Sequence, residues 1–388
     1  MSSNRVHKIK ATGKARIQVG DNYRVHGPSR SSRETEHSSI RQNSLPKTRR
    51  DFKIAIICAL PLEATAIQLL FDKWWDADED GFVKDPEDPN AYSTGMIGHH
   101  NVVLVHMPGI GKVSATSAAA YSRFTFKEIR LALVVGICGG IPFGKGGEET
   151  FLGDVVISNC IVQYDLGRQY SDQLIRKDTL SDSLGRPNSG IRAILAKLQT
   201  MQGKKDLLEA TADNLSTLSK ALSPVPLYPG RDQDKLFDSK YRHKHQSPSL
   251  CETCTVCIER NDPVCGLALE STCEDLGCDE VNLIPRQPSK KHEVQRSTQN
   301  RPAIHFGPIG SADSVMKSGE LRDILSTREG FIALEMEAAG VWDILPCLVI
   351  KGICDYADSH KSKEWQNYAA AAAAACTKAF LAALDRAY

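Results

Sequence analysis

Short apolar runs alternate along the chain with longer amphipathic stretches. Residues 52–59, 100–106, 131–141, 153–158, 303–311, 331–334 and 347–353 are runs of strand length, rich in Val and Ile. Apolar runs bounded by Gly, Pro or polar clusters signal buried strands. Helical patterns lie between them at 61–70, 113–121, 191–198, 207–222, 314–325 and 369–384. The last holds an alanine run, a strong helix former. Strand and helix alternating in this way predict an α/β fold of three layers.

Composition adds little steering. The chain has 388 residues, with Lys+Arg 48 against Asp+Glu 47, a net charge of +1. Nothing global draws it to nucleic acid. No apolar run approaches the roughly 20 residues of a membrane span, and the polar, basic start lacks the apolar stretch of a secretory signal. Of the 12 cysteines, Cys58, Cys138, Cys160 and Cys347 fall in strand patterns. Such placement suits a reducing compartment, and a cytoplasmic protein is expected.

Residues 1–50 are rich in Arg, Lys and Ser, a composition that buries too little apolar surface to fold alone. Within them, residues 7–23 combine an alternating piece, Arg16-Ile17-Gln18-Val19, with the turn chemistry of Gly20-Asp21-Asn22. This piece resembles the amyloid signalling motifs of fungal cell-death proteins, whose strands stack in cross-β fashion. The alternatives are a disordered tether, a basic arm for acidic partners, or a transit peptide.

Chemistry enters where acids end apolar runs. Glu335 and Glu337 stand two residues apart, with Met336 between them, and Asp355 closes the run at 347–353. Carboxylates are not needed for packing, and burying them is costly unless they are paired. The carboxyl edge of an α/β sheet is where such folds place their chemistry. Glu335, Glu337 and Asp355 are therefore read as one site, against solvated loop acids as the plain alternative. Glu63 follows Leu60-Pro61-Leu62 at a helix start, where an acid also suits the helix dipole. Lys112 ends Gly109-Ile110-Gly111-Lys112, but the Walker spacing is absent. Gly136-Ile137-Cys138-Gly139-Gly140 lets backbone approach a ligand closely.

These pieces in this order resemble the nucleoside phosphorylase and nucleosidase superfamily, of phosphorylase-I type. The resemblance is nearest to the methylthioadenosine/adenosylhomocysteine nucleosidase-like domains of fungal multidomain proteins. It covers roughly 51–164 and 303–388, and its carriers include 59–63, 109–113, 136–140, 153–156, 334–338 and 354–358. It implies a central mixed sheet, a dimer or larger ring, and no required cofactor. It implies Asp355 as the general acid that protonates the departing purine, and Glu63 as the carboxylate that activates water. Glu337 would bind ribose hydroxyls and Met336 would pack on the sugar, with Glu335, Cys138, Gly139, Ser311 and Asp313 close to the substrate. Where phosphorylases carry phosphate-binding arginines and a serine or threonine, this chain has Glu63, Val134 and Ile137. A carboxylate repels a phosphate dianion. Water is thus the expected nucleophile, with Cys354 standing for the usual serine.

The segment 165–302 is longer than the resemblance accounts for, and is read as an insertion. Its basic run holds Lys235, Lys240, Arg242, His243 and Lys244, which are candidates for binding a 5′-phosphate. The alternative is a solvated face. Cys251, Cys254 and Cys257 repeat the Cys-x2-Cys spacing, with His243 and His245 available to complete a zinc site. Packed thiols or a local disulfide are the alternatives.

The expected activity is hydrolysis of the N-glycosidic bond in adenine nucleosides or their 5′-phosphates, ATP included. With the tail, this would suit a cell-death or defence effector with an amyloid-motif partner. The alternatives are phosphate-dependent cleavage and a catalytically silent nucleoside sensor.

Overall fold

Strand β1 (Ile54–Cys58) is five apolar residues in a row, all buried. Nothing distinguishes its two faces, as a central strand covered on both sides requires. The computed structural model that shows this describes residues 45–76, 82–145, 149–171, 173–222, 227–247, 251–286 and 301–384. The tail motif at 7–23 lies outside the described residues.

The other strands of the main sheet are β2 (Lys73–Trp75), β3 (Ala91–Ile97), β4 (His100–His106), β5 (Leu131–Gly140), β6 (Val155–Gln163), β9 (Ile304–Ser311), β10 (Ala333–Glu335) and β11 (Cys347–Asp355). Their order is β10-β9-β6-β11-β5-β1-β4-β3-β2. Strands β4, β1, β5 and β11 run parallel as consecutive neighbours, whereas β11 meets β6 antiparallel. The sheet is mixed. Strands β7 (Gly167–Gln169) and β8 (Leu174–Arg176) form a separate ribbon. β10 pairs with β9 on one side and with β5 on the other. Strands β10, β9, β6, β11 and β5 therefore close into a five-stranded ring.

Helices cover both faces. α1 (Pro61–Gln68), α3 (Ser189–Leu198) and α4 (Met201–Ala221) share one apolar core with Ile54, Ile56, Leu133 and Val135, and the C-terminal helix, Gln366–Ala383, packs with them. α2 (Lys112–Thr125) shares the opposite core with Ala55, Ile57, Val134 and Val349. The alanine run has a packing reason. A Cβ added to Gly352 of β11 would lie 2.0 Å from the Ala369 carbonyl oxygen. Only small residues on both sides allow that approach, at the close-packed density of a protein interior.

The expected insertion at 165–302 is thus two different things. Ile191, Leu195, Leu198, Leu207, Leu215 and Leu218 bury themselves in the main core. The sequence showed their amphipathic spacing but not the surface they cover. What stands apart is a compact addition whose two ends meet: Ile284 N donates to Leu236 O at 2.8 Å and Asp238 N to Asn282 O at 2.9 Å. It carries the short helices α5 (Glu252–Thr255), α6 (Gly266–Glu270) and α7 (Cys273–Leu276). After β9 come α8 (Gly319–Glu329), α9 (Ala338–Trp342) and, after β11, α10 (Gln366–Ala383). Among the described residues, no helix is long and apolar enough to cross a membrane.

Candidate active site

Glu63 is held in place by the way α1 begins. Leu60, its N-cap, has no side-chain oxygen to offer the first N–H groups. Glu63 supplies one from the third helical position. Its Oε2 accepts from Ala59 N and Leu60 N, both at 2.9 Å, while Oε1 reaches across to Ile137 N in β5 at 2.8 Å. The carboxylate is buried. Burial raises its pKa, and Lys351 and the N–H donors of Ile137 and Leu60 oppose that rise without cancelling it. A buried carboxylate with an enhanced appetite for a proton is the equipment of a general base.

Lys351 is the residue that sequence reasoning missed. It sits inside the apolar run of β11, paired in register with Gly136 of β5, and is 1% exposed. Its Nζ donates to Glu337 Oε2 at 2.9 Å. Burial alone would favour its neutral form. Glu337, Glu63 and Glu335 reverse that and raise its pKa. The available signal was a lone Lys in an otherwise apolar strand four residues before Asp355. A buried cation there demands carboxylate partners, and Glu63, Glu335 and Glu337 are the partners it finds.

Those carboxylates have distinct environments. Glu337 precedes α9; its Oε1 faces Gly111 N at 3.4 Å. Burial would raise it, but Lys351 outweighs burial and holds it below its ordinary value. Glu335, at the end of β10, accepts from Glu337 N at 3.0 Å and from Ala338 N at 3.0 and 3.2 Å. Burial pushes its carboxyl up to about 7. Met336 between them is half-buried. Ser311 Oγ, fully buried, accepts from Ala339 N at 3.1 Å and so ties β9 to α9.

Asp355 closes β11 beside Gly139, its partner in β5. Its Oδ1 accepts from Ala357 N at 2.7 Å and from Lys361 Nζ at 2.9 Å. The Cys354 thiol, a weak donor, donates to Oδ2 at 3.4 Å. Cys138 is buried, its thiol pushed up by burial; it is a packed thiol, not a nucleophile. Asp313 stands at the other end of the site. Its Oδ1 accepts from Lys112 N at 2.7 Å, and Lys112 Nζ pairs with Asp165 at 2.6 Å. Lys112 is thereby committed to carboxylates and takes no part in a phosphate loop.

Glu63, Glu335 and Glu337 thus gather around one buried ammonium, that of Lys351, while Asp355 stands at the carboxyl end of β11 beside Gly139 of β5 and pairs with Lys361. The phosphorylase superfamily model matches residues 53–221. Residues 53–221 belong to the phosphorylase superfamily. The chain is also 31% identical, over 355 residues, to a nucleotide-binding leucine-rich repeat (NLR)-like protein of Hyaloscypha variabilis. That match takes in 89% of this chain, which spans 30% of the relative. Among solved structures, the futalosine hydrolase of Helicobacter pylori is similar at 16% identity, covering 86% of this chain and 99% of that one, with a TM-score of 0.49. A 5′-methylthioadenosine/S-adenosylhomocysteine nucleosidase of Neisseria meningitidis is similar at 16% identity, covering 87% of this chain and 100% of that one, with a TM-score of 0.46.

The remaining candidates lie in the addition to the phosphorylase-superfamily core, and most are used to build it. Arg242 donates to the carbonyls of Glu259, Arg260 and Asp262 at 2.9, 2.6 and 2.9 Å. Lys244 Nζ donates to Cys254 O at 2.8 Å. His243 Nε2 is 3.0 Å from Ser271 O. Lys235 pairs with Glu280 at 2.6 Å, and Lys240 is exposed. Arg242 and Lys244 are therefore drawn inward by carbonyl groups, not arrayed for a phosphate. The zinc expectation also changes membership. The thiols gathered within 4.8 Å of one another are Cys251, Cys254 and Cys265. Cys257, expected as the third, turns instead to Asp262 O at 3.9 Å. Its Cys-x2-Cys spacing is met by α5, which sends Cys257 past the cluster. His245, expected to complete the site, is not among the gathered donors, so Cys251, Cys254 and Cys265 are the residues suited to hold a metal here.

Proposed function

We propose that this chain hydrolyses the N-glycosidic bond of adenine nucleosides, releasing adenine. The observation that carries this reading is Glu63: a buried carboxylate, with a raised pKa, stands beside Lys351 and three backbone N–H groups. In this reading Glu63 takes the proton of the attacking water, and the charge of Lys351 stabilises what forms. Glu337, kept ionised, accepts from the ribose hydroxyls. Asp355 gives the departing purine its proton from Oδ2, Lys361 and Ala357 N fixing the other oxygen. An acid and a base acting on opposite ends of one glycosidic bond is the logic of inverting sugar hydrolases. Val134 is buried in β5 and Ile137 N is already given to Glu63, which favours water over phosphate.

The engagement of Arg242 and Lys244 favours unphosphorylated nucleosides, with AMP and ATP as the alternative substrates. The relative is named an NLR-like protein. Together with the amyloid-motif resemblance of residues 7–23, that name supports a signalling setting for the hydrolysis.

The purified chain, given adenosine, methylthioadenosine, AMP or ATP without phosphate, is expected to release adenine and the free sugar from the nucleosides. Product separation by chromatography reads this directly. Turnover that appears only with added phosphate would overturn the reading. The pocket wall makes its own test. A Cβ added to Gly136 would lie 1.9 Å from Glu63 Oε1. Gly136→Ala is expected to displace that carboxylate and lower kcat by roughly 100-fold, with a far smaller change in KM. Unchanged kcat would show that Glu63 is not the base.

A further inference from the structure

The addition contains a second group of metal-binding side chains, separate from Cys251, Cys254 and Cys265, and one of its members comes from the catalytic core. His243, Cys278 and His360 bring their donor atoms within 4.8 Å of one another. Cys278 Sγ is 3.6 Å and Cys273 Sγ 3.8 Å from His243 Nδ1. The two thiols are also hydrogen-bonded to each other. Nitrogen and sulfur ligands of a tetrahedral zinc ion, with bonds of about 2.1 and 2.3 Å, stand roughly 3.6 Å apart across the metal. His243 Nδ1 and the two thiols are already near that spacing, and His360 has a donor nitrogen within 4.8 Å of the donor atoms of His243 and Cys278.

Two further observations point to an ion. His243 Nε2 meets the Ser271 carbonyl at 3.0 Å. That contact places the proton on the outer nitrogen and leaves Nδ1 free to ligate, as an outer carbonyl does for metal-bound histidines. His360 Nε2 is buried with no hydrogen-bond partner. Its ring is fixed by stacking on Phe237, with centroids 4.3 Å apart, and by lying within 7° of parallel to Tyr241. A buried imidazole nitrogen without a partner is costly. A metal ion would satisfy it.

We propose that His243, Cys273, Cys278 and His360 bind one zinc ion as a closed Cys2His2 site. Each thiol loses its proton to solvent as the metal binds, so binding tightens with rising pH. With four protein ligands there is no open position, and the ion is structural. Its placement gives it a task. Three ligands belong to the addition, and the fourth lies in the loop that follows β11. His360 N donates to Asp358 Oδ1 at 2.9 Å, and the next residue, Lys361, holds Asp355 at 2.9 Å. The ion would pin the addition to the loop that positions the acid. This consequence for catalysis rests on the function proposed above; the site itself does not.

The test is metal analysis of the full chain, purified under reducing conditions without chelator and dialysed against zinc. Mass spectrometry of the metal content is expected to give two zinc ions per chain. Cys278→Ser and His360→Ala are each expected to lose one, and Cys251→Ser the other. The cobalt-loaded protein is expected to show thiolate charge-transfer and tetrahedral bands that weaken in Cys278→Ser but persist in part. Wild-type protein holding no zinc beyond that lost in Cys251→Ser would overturn the proposal, and so would a Cys273–Cys278 disulfide in non-reduced peptides. The zinc count and the disulfide map of the wild type do not depend on the variants folding: fewer than two zinc ions per chain together with a Cys273–Cys278 disulfide overturns the proposal by itself. They also stand if no nucleoside is cleaved, so failure of the site and failure of the enzymatic reading are told apart.

Discussion

Asp355→Asn is expected to remove adenine release, by roughly 100- to 10,000-fold in kcat, while nucleoside binding survives. The substitution keeps shape and the Oδ1 acceptor, so Ala357 N and Lys361 keep a partner at 2.7 and 2.9 Å. What the variant lacks, in the proposed reading, is a carboxyl oxygen able to carry a proton to the base. A poor leaving group such as a purine anion then departs unassisted, and the loss falls on the chemical step. The comparison to make is kcat by product release against Kd by calorimetry with a substrate analogue. Equal losses in both would mean that Asp355 binds the base without protonating it. Full kcat would assign the acid elsewhere.

Lys351→Met is expected to be the most destabilising single change at the site. Lys351 is 1% exposed and is the cation shared by Glu337, Glu63 and Glu335. Methionine matches its length but leaves carboxylates buried without a counter-charge, a change worth roughly 3–5 kcal/mol. The pH dependence has a definite sign. Loss of the cation raises the carboxyl pKa values in the folded state, so the native protein binds more protons than the unfolded chain. Stability is then present at low pH and lost as pH rises through the folded values. In the wild type that window opens near the ordinary glutamate value and closes near the value of about 7 held by Glu335. In Lys351→Met it extends higher. Thermal melts at pH 5 and pH 8 are expected to show a larger drop in Tm at pH 8, with Lys351→Arg close to wild type. A larger drop at pH 5 would show that the carboxylates are balanced by something other than Lys351.

Much of the scaffold was readable because its strands are continuous apolar runs. The run at 100–106 is β4 to the residue, and the acids Glu335 and Glu337 share Lys351 as their counter-charge. Boundaries failed where a cap decided them. The helix expected at 314–325 runs Gly319–Glu329, because Ser318 supplies the cap by accepting from Leu321 N. The helix expected from 207 starts at Met201, capped by Thr200. Strands β2 and β3 were missed, since Lys73–Trp75 is short and largely exposed and Ala91–Ile97 mixes polar and small residues. Lys351 escaped because an apolar-run reading averages over its one charged member. Arg242 and Lys244 misled for the opposite reason. Charge density in sequence says nothing about which carbonyls will turn toward it.

The order of strands in the sheet has a consequence for how the protein is made. β11 lies between β5 and β6, with a neighbour on each side, yet among the described strands of this sheet it is the last to leave the ribosome. Until residues 347–355 emerge, β5 and β6 each present an open, apolar edge toward the same gap. The nascent chain therefore carries two sticky borders from the emergence of β6 until that of β11. It also carries no Asp355 and no Lys351, so any nucleoside chemistry of this site begins only when that final strand slots in. Sealing the sheet and arming the site are one event.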